Sequence, residues 1–100
     1  MADSDKKATW QVTFTTKAAK QKGDKDFPNN ASESLGLLAM EIEKLGPVRG
    51  NWKKYSSLKK GEHHCHIKGG RTSYVACWRA DKTKRKVEFY YVGTHEKAPY

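Results

Sequence analysis

The chain has 100 residues, of which 36% are hydrophobic, and it carries a formal net charge of +9 at pH 7. That composition suits one small domain with a single modest core, so we assign residues 1–100 to one domain and expect the polar residues 1–8 to be disordered. No apolar run approaches the ~20 residues needed to cross a bilayer, and the start MADSDKKATW lacks the apolar core of a secretory signal. These features favour a cytoplasmic protein with no membrane partner.

The positive charge is concentrated in the second half of the chain. Residues 1–48 contain seven Lys/Arg and seven Asp/Glu, whereas residues 49–100 contain thirteen Lys/Arg and four Asp/Glu. A basic half attracts polyanions, with nucleic acid as the first candidate and an anionic membrane surface as the second. The plain alternative is a solvated basic face that only aids solubility.

The first predicted elements are a strand and a short helix. Residues 10–14 (WQVTF) alternate between apolar and polar types and are rich in residues that favour strands. Thr15 or Thr16 is suited to cap a short helix over 17–22, which Gly23 ends.

A longer helix follows. Asp26 is a candidate N-cap, Pro28 suits the first turn, and Gly46-Pro47 ends the helix. Apolar residues recur at steps of four and three, which places them on one helical face: Ala31, Leu35, Leu38, Ile42 and Leu45. That face is predicted to be core.

The second half predicts a basic loop and three strands. Trp52, Tyr55 and Leu58 are expected to hold the loop 48–60 against the body. The strands are predicted at His63–Lys68, Ser73–Ala80 and Lys86–Gly93, joined by hairpin turns at 69–71 and 81–85. The order of a strand, two helices and a three-stranded antiparallel meander predicts an α+β fold with helices packed on the sheet.

Residues 61–100 hold the candidate site. Side chains able to act at a phosphate crowd the strand ends: His64, His66, Lys68, Arg71, His95, Lys97 and Tyr100. Alternation along the first strand of the meander places Cys65 and Ile67 in the core and leaves His66 and Lys68 on the open face. Which sides of the other two strands face the core stays ambiguous.

The histidines and cysteines raise the question of a metal. His63-His64-Cys65-His66 is consecutive, and a strand sends alternate side chains to opposite faces, so this run does not form a tetrahedral set by itself. His64, His66 and His95 remain able to converge, but we predict no metal and no cofactor because the spacing matches no known ligand motif. Cys65 and Cys77 are expected to be reduced in the cytosol.

The remaining chemistry suits metal-independent RNA cleavage. Attack by a 2′-hydroxyl on its own phosphate needs a base, an acid and cations around the phosphate. Histidine titrates in the range for either proton role, and arginine binds two phosphate oxygens at once. Each residue also has a purely structural explanation, such as a strand histidine satisfied by its neighbour across the sheet.

The last forty residues resemble a known family. CHIK, a short turn, a Tyr-Val-Ala strand and a last strand running into YVGTHEKAPY are similar to bacterial RelE/ParE-superfamily toxins, with the greatest likeness to the YafQ and RelE messenger-RNA endonucleases of type II toxin–antitoxin systems. The order of elements upstream fits as well. The resemblance implies cleavage of messenger RNA in the ribosomal A site, hence inhibition of translation, and neutralisation by a cognate antitoxin.

The resemblance also implies site residues. His66 and His95 match active-site positions of the YafQ-like pattern, and Tyr100 matches its final aromatic residue. Gly70-Arg71 stands where that pattern has Asp-Trp, which replaces an acid/base group with a cation. Lys53 and Lys54 lie where RelE-like toxins have lysines that contact RNA. We therefore expect Arg71 to act with His66, His95 and Tyr100 in catalysis, and Lys53, Lys54, Lys68, Lys97 and His64 to bind RNA.

Two other functions stay open from the sequence. One is a non-catalytic protein that binds RNA or the ribosome, or a gyrase-directed toxin of the ParE branch. The other is a degenerate member that only occupies an antitoxin. The pair His66 and His95 favours the nuclease, because a pure binder has no need of it. An exposed aromatic, Tyr74 or Trp78, is expected to stack on a base of the messenger.

Overall fold

The chain folds, in a computed structural model that describes residues 9–100, into a five-stranded sheet with both helices packed on one face. The elements are β1 (Gln11–Phe14), α1 (Thr16–Lys22), α2 (Asn29–Leu45), β2 (Ser56–Ser57), β3 (Glu62–Lys68), β4 (Tyr74–Asp81) and β5 (Lys86–Thr94), with single 3₁₀ turns at Lys59–Gly61 and His95–Lys97. Residues 1–8, predicted to be disordered, lie outside the described part. Neither α-helix of residues 9–100 has the length and apolarity to span a membrane.

The predicted α+β class and the meander are confirmed. The sheet order is β1-β5-β4-β3-β2, with β1 parallel to β5 and every other neighbouring pair antiparallel. Strand β2 was not predicted, because two exposed serines carry no apolar alternation. The predicted strand limits differ from the observed ones by a single residue at some ends.

The helix ends agree in part with the prediction. The Thr15 hydroxyl accepts a hydrogen bond from the Ala18 N–H at 3.0 Å, so Thr15 caps α1, and Gly23 ends it. The prediction that Asp26 caps α2 is wrong: Pro28 occupies the cap position without a side-chain bond. The Asp26 N–H instead donates to the Asp24 carboxylate at 2.8 Å, which closes a local turn before the helix.

The predicted apolar stripe of α2 forms the core except at its last member. Ala31, Leu35, Leu38 and Ile42 are buried, whereas Leu45 is 67% exposed. Leu45 is the last helical residue, and Gly46 and Pro47 are the buried residues at this end. The Pro47 carbonyl accepts a hydrogen bond from the indole of the core residue Trp78 at 3.1 Å, so the chain after the helix contacts the core at this end and Leu45 does not.

A bulge in β5 settles which side chains face the helices. Cys77 pairs with Tyr91 and Trp78 pairs with Phe89, which leaves Tyr90 as an extra residue. Phe89 and Val92 therefore both face the helical core, although simple alternation would separate them. The other face of the sheet, here called the open face, carries a smaller buried cluster of Val75, Cys77 and Tyr91.

Both cysteines are free and buried, and they lie on opposite faces of the sheet. Cys65 belongs to the helical core and Cys77 to the open-face cluster, so their side chains point apart and form no bridge. Burial raises the pKa of each thiol to about 12, which keeps both protonated and unreactive at neutral pH.

Candidate active site on the open face of the sheet

Four aromatic rings gather on the open face. Alternation along β3 directs His64 and His66 to this face, while the turn after β5 supplies His95 and the tail supplies Tyr100. The ring centres of His66 and His95 are 5.1 Å apart, those of His64 and Tyr100 are 4.0 Å apart, and those of His95 and Tyr100 are 6.1 Å apart. We call these four residues the ring cluster.

Short contacts hold the tail against the sheet. The His95 N–H donates to the Ser73 carbonyl at 2.9 Å, and the Tyr91 hydroxyl donates to the Thr94 carbonyl at 2.7 Å. A side chain at Gly93 would place its Cβ 2.8 Å from that tyrosine hydroxyl, so the bond requires glycine there. Ala98 then packs on the open-face cluster. The chain after β5 is thereby turned back over the sheet.

The basic loop between α2 and β2 is fixed next to the ring cluster. The His66 N–H donates to the Lys53 carbonyl at 2.8 Å, which brings the exposed Lys53 and Lys54 beside β3. At its other side the loop is bound to the carboxylate of Glu41 on α2. One oxygen of Glu41 accepts from the Trp52 indole at 2.9 Å and from Arg49 and Asn51 at 3.0 Å each.

The fourth histidine has a different surrounding. His63 faces the helical side, where its ring stacks on Trp78 and shares a 2.7 Å hydrogen bond with the Tyr55 hydroxyl. Burial, and to a smaller extent the charge of Lys82, lower the pKa of His63. Tyr55, like Trp52, packs against the helical core as predicted, and Leu58 is half-buried. His63 therefore supports the loop from the helical side of the sheet, and the sheet separates it from the ring cluster.

The surroundings of His64 and His66 favour their neutral imidazoles. Burial and then the neighbouring His95, Lys54, His64 and Lys53 lower the pKa of His66. Burial and His95 lower the pKa of His64. Burial raises the pKa of the Tyr100 hydroxyl, which therefore stays protonated. A neutral His66 at pH 7 is able to accept a proton.

The other predicted site residues are distributed around this cluster. Arg71 and His95 line a common cavity of about 200 Å³. The Lys68 ammonium donates to the carbonyls of Gly69 at 3.1 Å and Thr72 at 3.4 Å, so it is directed to its own hairpin. Lys97 lines a separate groove of about 490 Å³ together with Tyr74.

Of the two aromatics expected to stack on a base, Trp78 is wrong, because it is fully inaccessible to solvent. Tyr74 is half-buried and meets Phe27 edge to face at 5.5 Å. Tyr100 lies on the open face with 48% of its surface exposed, so its ring is accessible to a base. Within residues 9–100, no group of three or more His, Cys, Asp or Glu side chains is arranged to hold a metal ion.

Glu41 holds the loop beside the ring cluster and was not predicted from the sequence to have that role. It lies off the apolar stripe of α2 and looked like an ordinary solvated helix residue. Its partners lie eight to eleven positions later in the chain, in a loop without regular periodicity. No sequence signal indicated that link.

Comparison with known proteins gives a fold and no close relative. No family model matches the chain, and no curated protein matches its sequence. Among solved structures, a chain of the archaeal RelE–RelB complex from Pyrococcus horikoshii OT3 matches with a TM-score of 0.65 and 9% sequence identity, over 90% of this chain and 99% of that chain. The chain therefore has a RelE-like fold, and the resemblance predicted from the sequence is confirmed at that level.

Proposed function

We propose that this protein is the toxin of a type II toxin–antitoxin system and that it cleaves messenger RNA on the ribosome. The observation that carries the proposal is the convergence of His66, His95 and Tyr100 on the open face of a RelE-like fold. Two exposed lysines beside His66 and the arginine beside His95 add the positive charge that a phosphate requires.

The proposed reaction is an internal phosphoryl transfer. His66, neutral because its pKa is lowered, takes the proton from the ribose 2′-hydroxyl. The freed oxygen attacks the adjacent phosphorus, the bond from phosphorus to the 5′-oxygen breaks, and His95 gives a proton to that leaving oxygen. The products are a 2′,3′-cyclic phosphate and a 5′-hydroxyl end.

The remaining side chains have binding roles in this proposal. Arg71 holds two oxygens of the scissile phosphate, while Lys53 and Lys54 neutralise its charge. Tyr100, stacked on His64, positions the nucleotide at the cleaved bond. Lys68 lies at the hairpin after β3 and Lys97 lines the separate groove, and in this proposal they contact the RNA on either side of the ring cluster.

A cognate antitoxin is the proposed protein partner. The support is that the structural neighbour was solved as a complex of RelE with RelB. The expectation is that the chain arrests growth when it is expressed without its antitoxin. Normal growth of cells that contain a large amount of the folded chain would favour the alternative of a degenerate toxin that only occupies an antitoxin.

The chemistry of the cut ends tests the proposed reaction. The purified protein is added to a cell-free translation mixture, and the messenger fragments are treated with polynucleotide kinase. Cleavage by a 2′-hydroxyl leaves 5′-hydroxyl ends, which the kinase labels without prior phosphatase treatment. Fragments with 5′-phosphate ends would contradict the mechanism, and arrested translation with intact messenger would favour the non-catalytic binder.

A further inference from the structure

The most basic stretch of the chain is not used by the ring cluster. Residues 79–86 (RADKTKRK) carry five Lys/Arg and one Asp, and form the end of β4, the hairpin and the start of β5. All five basic side chains are exposed. The exposed Lys59 and Lys60 extend the same basic region from the neighbouring 3₁₀ turn, which contacts β4.

Part of this stretch lines a groove of about 420 Å³ that we call the basic groove. Its polar lining includes Gln11, Thr13, Lys60, Arg79, Lys84 and Lys86. The strand register pairs Gln11 with Lys86 and Arg79 with Glu88, and neighbours paired in this way share one face. Because Val12 and Phe14 pack toward the helices, this shared face is the open face that also carries the ring cluster.

The charge of the basic groove is positive after its carboxylates are counted. The Glu88 carboxylate lies 3.9 Å from the Arg79 guanidinium, and the Asp81 carboxylate accepts a hydrogen bond from the backbone N–H of Lys84 at 3.1 Å. Within residues 9–100, the ammonium groups of Lys60, Lys84 and Lys86 have no hydrogen-bond or ion-pair partner. Unpaired ammonium groups along one groove are suited to a row of phosphates.

Strand β4 leads directly from the ring cluster to the basic groove. Cys77 lies opposite His64, and Asp81 at the groove is four residues further along the same strand, or about 13 Å. Between them the Arg79 guanidinium lies 4.3 Å from the ring centre of Tyr90. This pair offers a planar surface of the kind on which bases stack.

We propose that the basic groove binds phosphates of the same single-stranded RNA that the ring cluster cleaves. The inference rests on the proposed function and adds a direction to it: the RNA lies along β4, with one end at His66 and the flanking nucleotides at Lys60, Lys84 and Lys86. A strand only long enough to fill the ring cluster does not reach the groove.

Fluorescence anisotropy with 2′-O-methyl RNA tests this arrangement, because this RNA lacks the attacking hydroxyl and stays intact. Oligonucleotides of about two and about twelve nucleotides are titrated at salt concentrations from about 50 to 200 mM. The test variant replaces Lys60, Lys84 and Lys86 with Ala. The matched control removes three exposed lysines on the helical side, Lys17, Lys20 and Lys25.

We expect the test variant to bind the long oligonucleotide more weakly and to lower the slope of log affinity against log salt by about 2, since each contact to a single strand contributes about 0.7. It should bind the short oligonucleotide as the wild type does, and the control variant should keep the wild-type slope. Equal losses of affinity in the test and control variants would contradict RNA binding by the basic groove. An equal loss of affinity for the short and the long oligonucleotide would contradict it as well. These titrations involve no cleavage. They therefore test RNA binding by the basic groove independently of whether the protein is a nuclease.

Discussion

The imidazole of His64 and the ring of Tyr100 stack with their centres 4.0 Å apart and their planes 18° from parallel. His64 is only 9% exposed, and its buried Nδ1 has no hydrogen-bond partner within residues 9–100. Burial and His95 lower the pKa of His64, so the stacked ring is neutral at pH 7. Tyr100 is therefore held on the sheet by a stack between two uncharged rings.

This stack predicts a role for the ring of Tyr100 in RNA binding. An aromatic pair contributes about 0.5–1.5 kcal/mol beyond the area that it buries, so Tyr100→Ala should weaken binding of a non-cleavable oligonucleotide by roughly 2- to 13-fold. Tyr100→Phe keeps the ring and should bind as the wild type does. Equal affinity of the alanine variant and the wild type in anisotropy titrations would remove Tyr100 from the binding site.

The charge of Lys54 predicts the pH dependence of cleavage. Lys54 is among the groups that lower the pKa of His66, and a base works in its neutral form. Lys54→Gln should therefore raise the pKa of His66 and move the acid limb of kcat/KM to higher pH, whereas Lys20→Gln on α1 should leave the limb in place. The measurement is cleavage of a reporter messenger as a function of pH. An acid limb that is identical in Lys54→Gln and wild type would show that His66 is not the titrating base.

Glu41 is predicted to stabilise the protein and to position the loop that carries Lys53. Its carboxylate accepts three hydrogen bonds, and such bonds to a charged group contribute about 1.5–3 kcal/mol each before exposure is considered. Glu41 is partly exposed, so Glu41→Ala should lower the free energy of unfolding by about 1–3 kcal/mol in urea denaturation. The exposed Glu43→Ala on the same helix is the control and should change it little. A loss no larger than that of the control would mean that the loop is held by other contacts.

The buried His63 predicts acid sensitivity of the fold. The pKa of His63 is lower in the folded state than its ordinary value of about 6.5. The unfolded chain therefore binds more protons than the folded chain once the pH falls below about 6.5. The stability linked to His63 is therefore fully present above that pH and is lost as the pH falls toward its folded-state pKa. His64 and His66 have lowered pKa values and act in the same direction.

Urea midpoints at about pH 7.5 and pH 5.5 measure this effect. The wild type should lose stability between the two, and His63→Gln should lose less, because glutamine does not titrate. A loss of the same size in His63→Gln would assign the acid sensitivity to other groups.

The local parts of the fold were predictable from the sequence, and the contacts between distant segments were not. Ala31, Leu35, Leu38 and Ile42 follow the helical period, and the histidines of β3 follow the strand period, so both predictions depend only on near neighbours. The Asp26 prediction failed because the carboxylate of Asp24 closes a competing turn. The sequence did not indicate which side chains of β5 face the core, because the bulge at Tyr90 interrupts the alternation of the strand. A bulge depends on the pairing with the partner strand.

The site was predictable as chemistry but not as geometry. His66, His95 and Tyr100 were chosen for their residue types and their match to a known pattern. Their proximity depends on the tail folding back through the contacts of Ser73 and Ala98. The hydrogen bonds of Glu41 reach an irregular loop eight to eleven positions later, and the His64–Tyr100 stack joins residues far apart in the chain, so no local pattern indicated either.

Cleavage of messenger RNA by the ring cluster is tested most directly by primer extension on a reporter messenger in a cell-free translation system. Wild type, His66→Ala, His95→Ala and the control Lys20→Ala are compared, with each variant first shown to be folded. We expect new 5′ ends at codon positions with wild type and Lys20→Ala, and their loss in both histidine variants. Cuts that persist in both histidine variants would contradict the assigned site, and a messenger left intact by the wild type would contradict the nuclease itself.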